Sequence, residues 1–466
     1  MSIKNTNFSN KEITEILRDK KSVYFIGIGG VSMSCLALMT QKLGYKVGGS
    51  DRVESKTTCQ LEKQNITVNY NHSPKNIIAY DVIVYTVAIS ENNEEYVYAK
   101  QTNKPCISRA DFLGYLMTHY KNRIGVSGMH GKSTTSSMIS EVFLCADLDP
   151  TIVLGAELST IGGCYKQGCD DWFIFESCEY MDSFLSFNPT LEVILNVELD
   201  HTDYFPNIDA VKQSFKKYLT IPSVNTAVLN YDDKNVLEIS KSFNGKKVGF
   251  GVDNKDADFR AENISYVDGK PSFDLYYKNI NQGRISLSVF GKHNILNALS
   301  VCAVAYEYGL DFASICEGLK RFCGAKRRME KKGELGGVSY FEDYAHHPTE
   351  IKATLYSAKT FVKGNIWCVF QSHTYSRTSE LFDDFVDTLK IADKIISLDI
   401  YAARETDTKG VSGELIAQRI GEKAIYIDSF ENAARYVIDN SRQGDAVIVM
   451  GAGDVFHVFD YIHFEN

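Results

Sequence analysis

A glycine-rich turn at residues 124–136, IGVSGMHGKSTTS, joins an apolar segment to an amphipathic one. A strand, a glycine loop and a helix in that order let backbone N–H groups surround phosphate oxygens at the start of the helix. The lysine of such a loop neutralises the terminal phosphates of ATP, and the following serine supplies a hydroxyl ligand to Mg²⁺. The general pattern has a glycine where this chain has Val126, so the loop is a variant. The sequence predicts an ATP site with Mg²⁺ at Gly128, Met129, His130, Gly131, Lys132, Ser133 and Thr134.

A second glycine-rich turn comes earlier in the chain, at residues 24–33, YFIGIGGVSM. It resembles the fingerprint of a dinucleotide-binding domain, with Ser32 in place of the last expected glycine. Asp51 ends the next predicted strand, where a dehydrogenase would hold ribose hydroxyls. The chain is therefore expected to have two separate nucleotide sites.

Strand and helix patterns alternate along almost the whole chain, which predicts parallel sheets covered by helices. We expect three α/β units in series, over residues 1–118, 119–328 and 329–466. Helices are predicted from Met33 to Leu43 and from Lys132 to Cys145. In the second unit the polar-alternating runs FDLYYKN and RISLSVFG predict an antiparallel flap.

The composition is that of an ordinary soluble globular protein, with 44% hydrophobic and 23% charged residues. A formal net charge of −9 argues against nucleic acid as a partner, because a basic surface would favour that role. No apolar run is long enough to span a bilayer, and the segment MSIKNTNFSNKEITEILRDKK has no apolar h-region, so we expect no membrane insertion and no secretory signal. The eleven cysteines lack a CxxC pair and favour reduced thiols in the cytoplasm over structural zinc. The oligomeric state is not predictable from these features.

Acidic and histidine side chains follow the strands after the ATP loop. The strand DWFIFES ends in Glu176, and the strand LEVILNV leads to Asn196, Asp200 and His201. Carboxyl ends of parallel strands are where open α/β sheets bind ligands, so Glu176 is predicted to ligate Mg²⁺ beside Ser133. On local pattern alone, the Asp200–His201 pair is more often a capping or surface pair than a functional one.

Nine motifs in fixed order resemble the Mur ligases over essentially the whole chain. They are GIGG, GMHGKSTT, ESCEYMDSFL, NVELDHTDYF, GKHNILNAL, GAKRRME, DYAHHPTE, FQSHTYSRT and GAGD. The resemblance implies the three-domain Mur ligase architecture: a Rossmann-like N-terminal domain for a UDP-sugar, a central P-loop ATPase domain and a Rossmann-like C-terminal domain for the amino acid. It also implies ATP and Mg²⁺ as cofactors.

The resemblance assigns the first glycine turn to the diphosphate of UDP, with no nicotinamide present. Gly27, Gly29, Gly30 and Ser32 would contact it, while Asp51 would either contact the uridine or cap a turn. His201 would hold a second metal ion, in addition to the first at Ser133 and Glu176.

The remaining implied site residues lie in the later motifs. The resemblance places His293, Asn294 and Asn297 around adenine and ribose, although a helix start with polar caps is an alternative for Asn297. It assigns the site formed with the C-terminal domain to Arg327, Arg328, Asp343, Tyr344, His346, His373 and Arg377. Many members have proline and arginine where this chain has Ser372 and Thr374.

The implied reaction is ATP-dependent ligation of L-alanine to UDP-N-acetylmuramate through an acyl phosphate, in peptidoglycan precursor synthesis. The alternative is ligation of a recycled murein peptide to the same UDP-sugar. An NAD-linked dehydrogenase explains only the first glycine turn. A non-catalytic nucleotide-binding regulator leaves Lys132, Glu176 and His201 without a purpose. Preference for L-alanine over glycine or L-serine depends on pocket shape, which the sequence does not reveal.

Overall fold

The computed structural model describes residues 3–201, 204–403, 405–407 and 409–464. The chain divides into two compact units, residues 1–198 with 209–248 and residues 199–208 with 249–466. The chain passes between the two units after residue 198, after residue 208 and within β12 (Lys246–Gly251).

The first unit begins with a parallel sheet in the strand order β3-β2-β1-β4-β5. Its strands are β1 (Ser22–Ile26), β2 (Lys46–Ser50), β3 (Thr67–Asn69), β4 (Val82–Tyr85) and β5 (Cys106–Ser108). Its helices are α1 (Asn10–Leu17), α2 (Val31–Lys42), α3 (Lys56–Lys63), α4 (Pro74–Ile77), α5 (Glu94–Gln101) and α6 (Arg109–Met117). All residues of β1 and β4 are buried, as expected for parallel strands covered on both faces.

The same unit continues with strands in the order β11-β10-β6-β9-β7-β8, parallel except for the β7–β8 pair. They are β6 (Asn122–Ser127), β7 (Pro150–Leu158), β8 (Gly163–Lys166), β9 (Cys169–Glu176), β10 (Leu191–Ile194) and β11 (Thr226–Asn230). The helices are α7 (Lys132–Cys145), α8 (Ile208–Leu219) and α9 (Lys234–Ser240). Because β6, β9 and β10 run parallel, the residues that follow them meet at one edge of the sheet.

The second unit contains the predicted antiparallel flap and a further sheet in the order β16-β17-β21-β18-β19-β20. Its strands are β13 (Phe259–Val267), β14 (Lys270–Tyr277), β15 (Ile280–Ser286), β16 (Glu330–Leu335), β17 (Val338–Asp343), β18 (Ile366–Phe370), β19 (Lys394–Ser397), β20 (Ala424–Tyr426) and β21 (Ala446–Met450). Its helices are α10 (His293–Glu307), α11 (Phe312–Arg321), α12 (Pro348–Ala358), α13 (Tyr375–Glu380), α14 (Phe382–Leu389), α15 (Gly413–Ile420) and α16 (Phe430–Asn440).

Side chains of β18 alternate between two apolar clusters, one on each face of this sheet. Ile366, Cys368 and Phe370 belong to one cluster, and Trp367 and Val369 belong to the other. Each fully buried apolar side chain contributes about 1.5–3 kcal/mol, so both faces stabilise the strand. This packing fixes the position of the loop after Phe370, which carries predicted site residues.

Most predicted elements are confirmed, and the exceptions have local causes. α7 covers Lys132–Cys145 as predicted, while α2 begins two residues before Met33 and ends at Lys42. The sequence analysis does not identify β3, β5, β7, β8, β11, β12, β13 or β16. The first two have three residues each, and β16 is a polar strand, EKKGEL, with no fully buried residue. Among the described residues, no helix combines the length and apolar character needed to cross a bilayer.

Candidate active site

The loop between β6 and α7 has the backbone shape of a phosphate-binding turn. Gly128 and Gly131 have φ angles of 130° and 88°, which side chains other than glycine rarely adopt. The Thr135 N–H donates to the Gly131 carbonyl at 2.9 Å, so α7 begins at Lys132. The first N–H groups of a helix have no partner within it, and here they belong to Lys132, Ser133 and Thr134. Together with the helix dipole they form an anion-binding position.

Asn196, directly after β10, holds the middle of this loop in place. Its side-chain oxygen accepts from the His130 N–H at 2.9 Å, and its amide donates to the His130 carbonyl at 2.9 Å. The sequence predicts Asn196 at this edge of the sheet but assigns it no role. Its position immediately after an apolar strand was the available signal.

Lys132 lies over the loop and is paired with Glu179. The ammonium nitrogen is 3.1 Å from each oxygen of the Glu179 carboxylate and also donates to the Gly128 carbonyl. Burial lowers the pKa of Lys132, but the adjacent carboxylate of fully buried Glu179 outweighs it, and the pKa is raised overall. Lys132 is therefore charged and already positioned at the phosphate loop. The predicted site lacked Glu179, although the residue lies in the quoted motif ESCEYMDSFL.

Ser133 and Glu176 form a small cluster of oxygen ligands beside Lys132. The Ser133 hydroxyl donates to Glu176 Oε2 at 3.0 Å, and the Ser136 hydroxyl donates to Oε1 at 3.4 Å. The Gly155 N–H also donates to Oε1, at 2.5 Å. A carboxylate and a hydroxyl at this spacing are the hard oxygen donors that Mg²⁺ prefers, so these residues fit the predicted ion.

The glycine turn after β1 is stabilised by hydrogen bonds to the end of β2. The N–H groups of Gly27 and Ile28 donate to the Ser50 carbonyl at 2.8 and 2.9 Å. The Gly29 N–H donates to Asp51 Oδ2 at 2.9 Å. Asp51 therefore caps this turn, which is one of the two roles expected for it. The glycines thus shape the turn, while the unpartnered helical N–H groups at the start of α2 belong to Val31, Ser32 and Met33.

Ser32, the departure from the glycine fingerprint, contacts a cation that the sequence reading missed. Arg109 Nη1, at the start of α6, donates to the Ser32 hydroxyl at 3.1 Å. Burial lowers the pKa of the Arg109 guanidinium, which is still charged at neutral pH. The start of α2 therefore has a positive group beside its N–H groups.

In the second unit, Arg377 connects two of the predicted motifs. Its Nη2 donates to Asp200 Oδ1 at 2.9 Å, and Nη1 lies 3.3 Å from His373 Nδ1. Burial raises the pKa of Asp200, but the charge of Arg377 more than compensates and holds it well below its usual value. The His201 N–H donates to the same carboxylate at 2.6 Å, and His201 has a φ of 52°. Asp200, His201, His373 and Arg377 are thus one cluster.

The DYAHHPTE motif adds a second histidine to this cluster. The His346 and His373 rings lie 6.1 Å apart, and His346 Nδ1 is 2.9 Å from the Tyr344 carbonyl. Burial, followed by the charge of Arg377, lowers the pKa of His373 to about 4. Burial likewise lowers the pKa of His346 to about 4, against the opposing charge of Glu350. Both imidazoles are therefore neutral at pH 7.

Two arginines pack against the Tyr344 ring. The guanidinium carbons of Arg327 and Arg328 lie 4.7 and 5.3 Å from its centroid. Arg327 also donates to the Gly451 and Gly453 carbonyls at 3.0 and 3.2 Å, within the terminal GAGD motif. The GAKRRME, DYAHHPTE and GAGD motifs thus meet around one aromatic ring.

Asp343 has a structural position at the end of β17. Its carboxylate accepts from the Met329 and Ala345 N–H groups at 2.9 and 2.8 Å and from the Thr354 hydroxyl at 3.3 Å. Burial raises the pKa of Asp343 to about 6, against the attraction of Arg328. The carboxylate orders the turn that carries Tyr344 and His346.

The predicted adenine-site residues begin α10, where Asn294 and Asn297 are buried and His293 is exposed. Asn297 donates to Asn294 Oδ1 at 2.9 Å, and Asn294 donates to the Phe290 carbonyl at 2.7 Å. The two asparagines thus form the polar helix start that was the alternative reading for Asn297.

Models of the Mur ligase family match three successive segments that together cover most of the chain. The model for the catalytic domain of the family matches residues 22–121, the middle-domain model matches 126–305 and the glutamate ligase domain model matches 327–453. The chain belongs to the Mur ligase family. A UDP-N-acetylmuramate–L-alanine ligase from Clostridium acetobutylicum is 45% identical over 94% of this Mur ligase and 96% of the relative.

Solved structures agree with this assignment. A UDP-N-acetylmuramate–alanine ligase from Thermotoga maritima matches with a TM-score of 0.79 and 26% identity, over 94% of this chain and 97% of that one. A murein peptide ligase from Psychrobacter arcticus matches in fold, with a TM-score of 0.70 and 23% identity over 94% and 97%. The predicted α/β class with three-domain Mur ligase architecture is confirmed.

Two departures of this Mur ligase from the motifs of many members have local hydrogen-bond partners. The Ser372 hydroxyl lies 2.6 Å from the Thr378 hydroxyl, and the Thr374 N–H donates to the Tyr401 carbonyl at 2.9 Å. Thr374 has a φ of 66° at the start of α13 and places Arg377 one turn later on that helix. Arg377 is therefore the guanidinium that this motif presents to Asp200.

Proposed function

We propose that this Mur ligase joins L-alanine to the carboxyl group of UDP-N-acetylmuramate and converts ATP to ADP and phosphate. The product is UDP-N-acetylmuramoyl-L-alanine, a peptidoglycan precursor. The observation that carries the proposal is the Lys132–Glu179 and Ser133–Glu176 arrangement at the phosphate loop. It occurs in a chain 45% identical to a relative named for this reaction.

ATP is needed because a carboxylate does not react with an amine at neutral pH. Transfer of the γ-phosphoryl group to a carboxylate oxygen breaks the bond to ADP and makes an acyl phosphate, whose leaving group is phosphate. Negative charge develops on neighbouring oxygens in this step, and a fixed cation in a water-poor site stabilises it. Lys132 is the residue that we assign to this role, since Glu179 and the Gly128 carbonyl already hold its ammonium at the loop.

In the second step the amine attacks the acyl carbon, phosphate leaves with the electrons of its C–O bond, and the amine gives up a proton. We assign the proton acceptor to His346, with His373 beside it. Donation from Nδ1 to the Tyr344 carbonyl leaves a lone pair on His346 Nε2, and the lowered pKa keeps the ring neutral. Arg327, Arg328 and Arg377 are assigned to the developing oxyanion and the phosphate.

Mg²⁺ is part of this proposal, with Ser133 and Glu176 as ligands and His201 as a ligand of a second ion. When bound, the ions would neutralise charge on the phosphate oxygens. The nucleotide would be held by the loop residues Gly128–Thr134 and by His293, Asn294, Asn297 and Asp343. The UDP-sugar would be held by Gly27, Gly29, Gly30, Ser32, Asp51, Tyr344 and His346.

We further propose domain boundaries near residues 118 and 328 and a cytoplasmic location. The segments that the family models match, 22–121, 126–305 and 327–453, support the boundaries. The cytoplasm provides the ATP and UDP-sugar that the reaction consumes, and reduced thiols suit the eleven free cysteines.

Phosphate release tests the proposal directly. The protein is incubated with ATP, Mg²⁺ and UDP-N-acetylmuramate, and L-alanine, glycine, L-serine or a murein tripeptide is added in turn. We expect release to depend on all components and to be fastest with L-alanine, with the ligated product detected by mass spectrometry. Faster product formation with the tripeptide would assign the chain to peptide recycling instead.

Glu176→Ala is expected to raise the Mg²⁺ concentration needed for half-maximal activity by about tenfold, because a carboxylate ligand is lost. Activity is measured as a function of free Mg²⁺ at saturating ATP. Glu317→Ala removes an exposed carboxylate (59% exposed) and is the matched control. An unchanged Mg²⁺ dependence in Glu176→Ala would remove this residue from the metal site.

A further inference from the structure

Glu192 is a carboxyl group in the interior of the first unit that the proposed reaction does not use. It lies in the middle of β10, in a run of apolar residues, and is fully buried. In register it faces Gly125 of β6 on one side and Ala227 of β11 on the other. β6 leads directly into the phosphate loop, so Glu192 lies behind the site.

The glycine at position 125 makes room for this side chain. A Cβ atom at Gly125 would lie 2.0 Å from Glu192 Oε2 and 2.7 Å from the Ser177 hydroxyl, which is too close for any side chain. The carboxyl group therefore passes over β6 and reaches the residue that follows β9. This contact joins the strands that carry the phosphate loop and Glu176.

A hydrogen-bonded network connects Glu192 to the loop after β9. Tyr218, on α8, donates to Glu192 Oε2 or to the Ser177 hydroxyl, each at 2.8 Å, and the Ser177 hydroxyl is 3.3 Å from the same carboxyl oxygen. The Ser177 N–H donates to the Val126 carbonyl at 2.9 Å. The Tyr218 ring stacks on Phe184 at 4.2 Å, in the turn that follows Glu179. The network thus lies against both ends of the segment between Glu176 and Phe184.

No positive charge faces Glu192 from the described residues packed against it. Its polar neighbours are Tyr218 of α8, Ser177 after β9 and Ser127 of β6. Tyr218 is the titratable one among them, and burial raises its pKa well above its usual value, so it is neutral as well. Burying an unpaired carboxylate is far more costly than burying the neutral acid. Accordingly, burial raises the pKa of Glu192 to about 8.

We propose that Glu192 is a positioning residue: a proton-bearing carboxylic acid that, through Ser177 and Tyr218, holds Glu176 and Glu179 against the phosphate loop. The inference rests on the proposed function, since it assigns those two carboxylates to ATP and Mg²⁺. Loss of the proton creates an unpaired buried charge, which the network relieves by moving Ser177. Alkaline pH is therefore expected to displace Glu176 and Glu179 from the phosphate loop.

The protonation state is tested by unfolding, without any substrate. Glu192 has a usual pKa of 4.5 in the unfolded chain and about 8 when folded. Between these values Glu192 binds a proton in the folded state but not in the unfolded state. Its contribution to the free energy of unfolding therefore falls as pH rises and is constant above about pH 8. Glu192→Gln removes this proton linkage. We expect the unfolding constant of the wild type, relative to Glu192→Gln, to rise about tenfold per pH unit from pH 5 to 8. A ratio that does not change with pH would overturn the proposal.

The positioning role is tested by kinetics. In the wild type, kcat/KM for MgATP is expected to be lower at pH 9 than at pH 7. In Glu192→Gln the ratio of these two values is expected to stay near one. Tyr218→Phe is expected to raise KM for MgATP about fivefold at pH 7 without raising KM for UDP-N-acetylmuramate. Tyr115→Phe removes a hydroxyl elsewhere in the same unit and is the control.

The two measurements separate this inference from the proposed function. A pH-dependent unfolding ratio in a protein without ligase activity would contradict the function and leave the buried acid confirmed. The same alkaline decline in Glu192→Gln as in the wild type would contradict the positioning role, as would an unchanged KM for MgATP in Tyr218→Phe.

Discussion

Lys132→Ala is expected to lower kcat by about 10²–10³-fold or more, because it removes the cation that we assign to the transferred phosphoryl group. Phosphate release with UDP-N-acetylmuramate and L-alanine gives kcat, and calorimetry gives the affinity for the UDP-sugar. That affinity is expected to change little, since the glycine turn at residues 27–32 belongs to another sheet. Lys217→Ala removes an exposed lysine of the same unit and is the control. Loss of sugar binding together with turnover would contradict this division of roles.

The same substitution breaks the ion pair of the fully buried Glu179 carboxylate with Lys132, and breaking a buried ion pair destabilises a protein by about 3–5 kcal/mol. The double variant Lys132→Ala/Glu179→Gln also removes the buried negative charge. We expect it to recover most of the thermal stability of the wild type and to stay inactive. Recovery of activity along with stability would show that Lys132 acts on folding and not on phosphoryl transfer.

Local sequence signals made the phosphate loop predictable. Glycines that permit left-handed backbone at positions 128 and 131, followed by Lys132 and a helix-forming run, specify the turn and the helix start with little help from the rest of the chain. The apolar runs likewise predicted the parallel sheets, because a strand that is buried on both faces, such as β18, has a nearly continuous apolar sequence. Family resemblance then identified motifs whose partners are far apart in sequence.

Long-range pairings were the part that the sequence could not provide. Glu179 pairs with Lys132, 47 residues away, and is followed by a sharp turn at Met181 and Asp182, whose φ angles are 53° and 56°. No pattern in ESCEYMDSFL specifies that turn. Arg109 and Ser32 are 77 residues apart, and nothing near either residue indicates the other.

Glu192 illustrates the limit of burial patterns. The run LEVILNV predicts a buried strand correctly, but an isolated glutamate within it reads equally well as an edge position facing water. Only the three-dimensional contacts with Tyr218 and Ser177, together with the space left by Gly125, reveal that the carboxyl group is enclosed and hydrogen-bonded.

Arg377→Ala is expected to destabilise the second unit by about 3 kcal/mol, because the Asp200 carboxylate would be left buried without its cation. The Asp200 and Arg377 side chains are only 6% and 12% exposed, so solvent screens this ion pair weakly. Arg419→Ala breaks an exposed ion pair with Asp383, with side chains 66% and 81% exposed, and is expected to cost less than about 1 kcal/mol. Urea unfolding, monitored with a spectroscopic probe in the second unit, measures the free energy of unfolding of both variants.

The pH dependence of this effect identifies its cause. In the wild type the pKa of Asp200 lies below its unfolded value of 3.8, so the pair stabilises the fold above that pH and is lost as pH falls further. Without Arg377, burial raises the pKa above 3.8, and stability should instead decline as pH rises from about 4. Arg377→Ala/Asp200→Asn removes the unpaired charge and should recover stability at pH 7 without recovering kcat. If Arg377→Ala were as stable as Arg419→Ala at pH 7, the buried Arg377–Asp200 pair would not be the interaction that holds this cluster together.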